Sequence, residues 1–328
     1  MPFSISKDSN LYLVKQGLPT ARICHPPYRQ SKSRRICAAL SECKTVHYNG
    51  KDIAYVSKAD VAFLCREIEE KRCYFQHGIT LAKGDTVIDV GANIGIFAAQ
   101  AAREVSSSGR VIACEPLPAT FAALQHNMQS LLNPGDAAVV LQQCGVGDGT
   151  ATEAEFTLYT KAAGWSTMFP DDTDVSDNMG IFLDHALPTL EGIDKTIGNR
   201  AARVLKRAGP RWLFNALWRP VVANMLSKKE ICTCKLVTVS HIIAEQELEQ
   251  VNLLKVDVER AELAVLRGIS DNDWPKIKQI IIEVHDIDER LAEVKRLLTQ
   301  CAGFHVTAVE QDINLRGSTL YNIYAVRR

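Results

Sequence analysis

The residues best placed to do chemistry fall in four short groups. The first is the stretch "VIDVGANIGIF", an apolar run that carries Asp89 and turns through Gly91, Asn93 and Gly95. The second is Glu115, 24 residues after Gly91. The third is the turn "GVGD", ending in Asp148. The fourth pairs Asp257 with Glu259 and Glu283 with His285, each pair two residues apart. A glycine turn between strand and helix offers backbone N–H groups to a ligand. Here the spacing is not G-x-G-x-x-G. Asn93 stands where a second glycine would let a pyrophosphate approach, and no G-K-[ST] follows, so the dinucleotide and P-loop readings both fail. A carboxylate at Asp89 would repel a diphosphate and suits a cationic ligand bearing an ammonium or sulfonium group. Glu115 can accept hydrogen bonds from both hydroxyls of a ribose.

The fourth group would serve a proton transfer. His285 follows "IIIEV" at a strand's carboxyl end and titrates near neutrality, so it is the first candidate for a general base. Glu283, two residues back, projects to the same side of the strand. Asp257 and Glu259 end another strand at the same spacing. The working expectation is a metal-free histidine base oriented by an acid, with His285, Glu283 and Asp257 as catalytic residues. A second reading has Asp257, Glu283 and His285 hold a divalent metal that acidifies a substrate hydroxyl. A third has His285 cap the next helix while the acids pair with Lys255 or Arg260. His77, in "YFQHGI", could border the ligand pocket, and His241 begins a helix.

These residues need a frame that brings strand ends together. Strand and helix patterns alternate: "TVIDV", "IGIFAAQAAREV", "RVIACEP", "PATFAALQHNMQSLL" and "AAVVLQQCGV", then "VNLLKVDV", "RAELAVLRG", "KQIIIEVHD" and "IDERLAEVKRLLTQ". Apolar strands between helices imply a parallel sheet covered on both faces, with ligands bound beyond the strand carboxyl ends. "GFHVTAVEQ" and "TLYNIYAVRR" read as a closing hairpin. Lys58 to Arg72 reads as a helix. Residues 160–232 are too long for a structureless loop and predict a helical insertion or lid. The expected organisation is an N-terminal helical or irregular extension over 1–73 and a main domain over 74–328.

The 38 Lys and Arg balance 38 Asp and Glu, so charge gives no reason to expect a nucleic-acid partner. No run of 18 apolar residues predicts a membrane span. The N-terminus lacks the apolar core of a secretory signal, and ten scattered cysteines read as reduced thiols, so the expected compartment is the cytoplasm.

"DTVIDVGANIGIFAAQAA", "VIACEPLPATFAALQHN", "CGVGD" and "LLKVDVERAELAVLRGI" resemble the FkbM family of S-adenosylmethionine-dependent methyltransferases, from about Tyr74 to the C-terminus with a gap over the insertion. Arg260 stands where the family form D-V-E-G-A-E has glycine. "DWPKIKQIIIEVHDID" and "LYNIYAVRR" are also similar to O-methyltransferase domains attached to polyketide and peptide synthases. The resemblance implies a Rossmann-like class I methyltransferase of the α/β class: a seven-stranded, mostly parallel sheet with an antiparallel last strand. It implies that Asp89, Gly91, Asn93 and Gly95 line the methionine end of S-adenosylmethionine, that Glu115 holds its ribose, and that Asp148 lies near its adenine. Asp148 in Gly-Asp-Gly is also an ordinary turn residue.

The implied activity is O-methylation of a secondary metabolite's hydroxyl, polyketide-like and possibly carrier-bound, or of a sugar. N-methylation and a catalytically silent docking module are the alternatives. The insertion carries nine Lys or Arg and no acid between Lys195 and Lys229, interleaved with Trp212, Phe214, Leu217 and Trp218. That run reads either as a solvated lid helix or as a docking face for an acyl-carrier protein or an anionic membrane surface. Trp165 and Met168, in "GWSTMF", could shape an apolar acceptor pocket.

Overall fold

A computed structural model of the chain describes residues 11–14, 43–186 and 211–327. Its first elements are β1 (Leu11–Val14), the hairpin of β2 (Lys44–Tyr48) and β3 (Lys51–Tyr55), and helix α1 (Lys58–Leu64), prolonged by a π turn at Cys65–Glu70. Alternation then sets in with β4 (Thr86–Val90), α2 (Ile96–Val105), β5 (Arg110–Cys114), α3 (Pro118–Leu131) and β6 (Ala138–Gln142). The short β7 (Gly145–Val146) leads to β8 (Glu153–Tyr159), and helices α4 (Asp172–Ala186) and α5 (Arg211–Leu226) precede β9 (Lys229–Val237). The second half holds α6 (Val239–Glu245), β10 (Leu253–Val256), α7 (Glu262–Arg267), β11 (Gln279–His285), α8 (Arg290–Arg296), β12 (His305–Glu310) and β13 (Leu320–Val326).

The main sheet runs β1-β6-β5-β4-β10-β11-β13-β12. β4, β5, β6, β10 and β11 are parallel, and β13 runs antiparallel to both of its neighbours. The expected seven strands are thus present, with the closing hairpin as read. An eighth, β1, lies antiparallel on the edge against β6. Val87, Ile88, Leu253, Leu254, Ile281 and Ile282 are all fully buried, as strands covered on both faces require. Chain order reverses between β4 and β10, which opens a crevice at their carboxyl ends.

Two parts of the fold differ from the sequence reading. The segment 1–73 was expected to be helical or irregular, yet it supplies β1, β2 and β3. Asn49 and Gly50, with φ of 46° and 79°, make the left-handed two-residue turn that joins β2 to β3. The insertion over 160–232 contains helices, but β9 starts inside those bounds and pairs antiparallel with β8 along its length. The insertion therefore leaves and re-enters the fold through one strand pair.

Asn127 locks the N-terminal hairpin to the crevice. It is fully buried in α3, accepts from the Ala54 amide (2.7 Å), and donates to the carbonyls of Ala54 (3.0 Å) and Ile94 (2.8 Å). Buried amides are kept only when so satisfied. The turn itself needs glycine. Gly91 has φ of 80°, and a Cβ there would lie 1.8 Å from the Asp257 carbonyl oxygen.

Candidate active site

A cavity of about 750 Å³ lies over the carboxyl ends of β4, β5, β10 and β11. One end is built by the β4–α2 turn. Gly91 and Asn93 line it, together with Glu115, Leu117, Cys144, Gly145 and Val146. Asn93 is left-handed (φ 50°), which turns its N–H toward Glu115 Oε2 at 3.1 Å. The Leu117 amide donates to Glu115 Oε1 at 3.0 Å. Glu115 is thus aimed by two backbone amides and retains acceptor capacity on both oxygens. Burial pushes its carboxyl up to about 7, although those amides oppose the rise.

The other end is acidic below and apolar above. Asp257, Glu259 and Glu283 converge, with one oxygen from each lying within 4.8 Å of the others. Asn322, opposite Glu283 in the register of β11 and β13, lies beside them. Phe63, Leu64, Trp165, Met168, Met179, Phe182, Val221 and Met225 form the apolar wall, drawn from α1 and from the insertion. Trp165 and Met168, read from the sequence as shaping an apolar pocket, are part of this wall. Among the described lining residues Asp60, Glu67, Glu115, Asp257, Glu259, Glu283 and Asp312 are acidic, and Lys161 is the basic one.

Each carboxylate of the converging group has a distinct setting. Asp257 accepts from Tyr74 Oη at 3.0 Å and lies 3.4 Å from Lys255 Nζ. Glu259 Oε2 lies 3.1 Å from His285 Nε2. Glu283 is held up strongly by burial first, then by the charges of Asp257 and Glu259. Burial also raises Glu259, against the opposing pull of His285.

Several expected ligands lie elsewhere. Asp89 is completely buried and does not line the cavity. Its carboxylate is ion-paired to Lys255 at 3.1 Å, and that ammonium also donates to the Gly91 carbonyl at 2.8 Å. Asp89 thus supports the turn from beneath instead of touching a ligand. Gly95 also stays off the cavity; a Cβ there would strike Leu124 Cδ1 at 2.4 Å, so it is a packing glycine. Asp148 is exposed and spends its carboxylate on the amide (2.9 Å) and hydroxyl (2.7 Å) of Thr150, which also lowers its pKa. It is a turn residue, and Cys144 to Val146 line the cavity in its place. His77 is turned to Glu310 at 3.0 Å. His241 lies in α6, as read.

His285 is the main correction. It is 2% exposed and does not reach the cavity. Its Nδ1 lies 2.8 Å from Glu262 Oε1, and its Nε2 faces Glu259. Burial would lower its pKa, but the two carboxylates outweigh burial and hold it well above the ordinary value. Enclosed between these two carboxylates, it stands behind the cavity lining instead of in it. Glu259 occupies the place expected for it, both as cavity-facing group and as third member of any metal set. Tyr74, Lys255 and Glu262 complete the arrangement. Of the basic run in the insertion, residues 195–210 lie outside the described residues, as do the side chains of Trp212, Phe214, Leu217 and Trp218.

A profile of the methyltransferase FkbM domain matches residues 89–306. The chain belongs to the FkbM methyltransferase family. It is 34% identical to 31-O-demethyl-FK506 methyltransferase FkbM of Streptomyces tacrolimicus, over 85% of this chain and 95% of that one. It is also 30% identical to a segment of the AMB antimetabolite synthetase AmbE of Pseudomonas aeruginosa, over 85% of this chain but 12% of the synthetase. Among solved structures, Aeropyrum pernix fibrillarin bound to S-adenosyl-L-methionine aligns over 88% of this chain and 84% of its own, at 13% identity and a TM-score of 0.36. That likeness is too distant to add to the topology. For an FkbM-type methyltransferase the cavity now has a direction: a turn-and-Glu115 end, and a carboxylate end roofed by the insertion. No helix among the described residues is long and apolar enough to cross a membrane.

Proposed function

We propose that this methyltransferase uses S-adenosylmethionine to methylate a hydroxyl on a neutral, largely apolar small molecule of the secondary-metabolite type. The observation that carries this reading is one cavity with Glu115 at one end, three converging carboxylates at the other, and an apolar wall from the insertion. The residues fit the cofactor by their chemistry. Gly91 and Asn93 present backbone toward it, Glu115 suits its ribose hydroxyls, and Cys144 to Val146 offer a flat apolar and backbone surface to its adenine. The acidic lining favours a sulfonium cation and disfavours an anionic acceptor. When bound, the cofactor supplies a methyl group already activated by positive sulfur.

The chain's own residues must orient the acceptor, exclude water and take its hydroxyl proton. The apolar wall and Tyr74 exclude water. Glu259 is the proton acceptor in this reading: it faces the cavity, burial has made it more basic, and His285 and Glu262 fix its direction. A divalent ion on Asp257, Glu259 and Glu283 is the competing arrangement. It is disfavoured because the Lys255 ammonium, 3.4 Å from Asp257 Oδ2, opposes a second cation beside that carboxylate. The run from Lys195 to Lys229 as a carrier-docking face remains a further proposal, and a relative that is part of a long synthetase is the reason to include carrier-bound acceptors.

The test is methyl transfer from labelled cofactor to free and carrier-bound hydroxyl compounds and to matched amines, with and without chelator. Transfer to oxygen, undiminished by chelation, supports the reading. A rate lost on chelation and restored by Mg²⁺ replaces the carboxylate base with a metal. Transfer confined to amines makes the chain an N-methyltransferase. Absence of any cofactor binding by calorimetry sinks the enzyme mechanism and leaves the docking module.

A further inference from the structure

Glu259 and Arg260 are consecutive left-handed residues, with φ of 47° and 80°. Neither is glycine, so the surroundings must hold both in place. Arg260 has a side chain only 10% exposed, and it points out of the site loop into the insertion. Its guanidinium donates to the Phe169 carbonyl at 3.0 Å and to Asp171 Oδ2 at 3.4 Å, and lies 3.9 Å from Asp174 Oδ2. The return contact comes from Thr167, whose hydroxyl donates to the Glu259 carbonyl and accepts from the Phe169 amide at 3.0 Å. On the other side Arg290 donates to the Arg260 carbonyl at 2.8 Å, and the Arg260 amide donates to Glu262 Oε1 at 2.7 Å. The loop that carries Glu259 is therefore bonded to the same segment that carries Met168 of the apolar wall.

We propose that Arg260 is a positioning residue that joins the insertion to the Glu259 loop, so that the apolar wall and the Glu259 carboxylate are set as one unit. A planar guanidinium suits this task. It reaches a carbonyl and a carboxylate at once, which a single ammonium cannot do with fixed geometry. The role assigned to Glu259 rests on the methyl-transfer reading above; the mechanical link does not.

The test uses the full chain and two variants. Arg260→Gly deletes the link at a position where glycine is at ease in the left-handed backbone, so loss of folding does not mask the result. Arg260→Lys keeps the charge without the fork. Hydrogen exchange reads the link directly. The amides of 167–174 and 259–261 should exchange about tenfold faster in Arg260→Gly, with 91–96 unchanged and Arg260→Lys in between. Calorimetry then reads the carboxylate without any acceptor. S-adenosylmethionine carries a positive sulfur and S-adenosylhomocysteine a neutral one, so the ratio of their affinities reports the negative field that Glu259 projects into the cavity. Arg260→Gly should lower the preference for the cation by about tenfold, and Arg260→Lys by less. Unchanged exchange overturns the link. Faster exchange with equal loss of both ligands makes Arg260 merely structural. If the wild-type chain binds neither ligand, the methyl-transfer reading fails while the exchange result still decides the link.

Discussion

Lys255→Met would test how the site's electrostatics are built. Lys255 is 3% exposed and lies 3.1 Å from Asp89 and 3.4 Å from Asp257. At an effective dielectric of about 20, charges at such distances attract by roughly 5 kcal/mol per pair. The variant no longer has to bury an ammonium, which offsets part of this, so the net loss should be about 3–5 kcal/mol. The sign of the pH dependence follows from Asp89. Burial already raises its pKa against the pull of Lys255, and removing that ammonium raises it further. A carboxylate whose folded pKa exceeds its unfolded value of about 3.9 destabilises increasingly as pH rises between the two. The deficit should therefore be larger at pH 8 than at pH 5. Urea unfolding followed by circular dichroism at both pH values measures it. Lys255→Met combined with Asp89→Asn should recover part of the loss at pH 8, because the neutral amide needs no counter-ion. A deficit equal at both pH values, with no recovery in the double variant, would refute the charge argument and leave only lost packing.

Glu115→Gln should weaken cofactor binding by roughly 10–100-fold, the worth of hydrogen bonds to a charged acceptor. In the wild type, affinity should fall as pH drops through about 7, where Glu115 takes up a proton, and calorimetry at pH 6, 7 and 8 reads both effects. His285→Gln should leave cofactor affinity within about twofold while lowering stability by about 3 kcal/mol, since Glu259 and Glu262 lose a buried cation. The stability His285 contributes is present in full below its unfolded pKa of about 6.5, falls progressively as pH rises from there, and is gone above its elevated folded value; unfolding from pH 5 to 10 checks this. Gly91→Ala would push a methyl group to 1.8 Å from the Asp257 carbonyl, so a loss of roughly 2 kcal/mol or more in urea and a parallel loss of cofactor binding are expected.

The alternating strands and helices were legible because buried parallel strands must be apolar on both faces, and nothing else in the chain reads that way. β8 and β9 were not. "KEICTCKLV" is mixed in polarity and half-exposed, and its partner lies across the whole insertion, so no local period announces it. The β2–β3 hairpin carried a usable signal in Asn49-Gly50 that the reading of residues 1–73 as helical or irregular passed over. At the site, spacing told which side of a strand each residue takes but not what covers that side. Glu283 and His285 do share a face. The turn carrying Glu259 and Glu262 folds over His285 alone, and a rule of period two cannot see that. Asp89 and Lys255 meet across adjacent strands, Asp89 opposite Lys255 in register, a pairing that only the sheet order reveals.

The hydrogen bonds of Asn127 bear on what counts as a transferable piece of this enzyme. The recognisable family segment begins at Asp89 and stops at 306. The cavity does not respect those limits. Phe63, Glu67 and Tyr74 come from before that start, Asn322 comes from after that end, and Asn127 staples the backbone of Ala54 to that of Ile94 in the turn. A fragment cut at the family boundaries would keep the signature and lose the enclosure. For grafting, recombination or homologue mining, the portable unit starts no later than the β2–β3 hairpin and includes β13. A candidate that carries the motifs without those flanks should be treated as a different object.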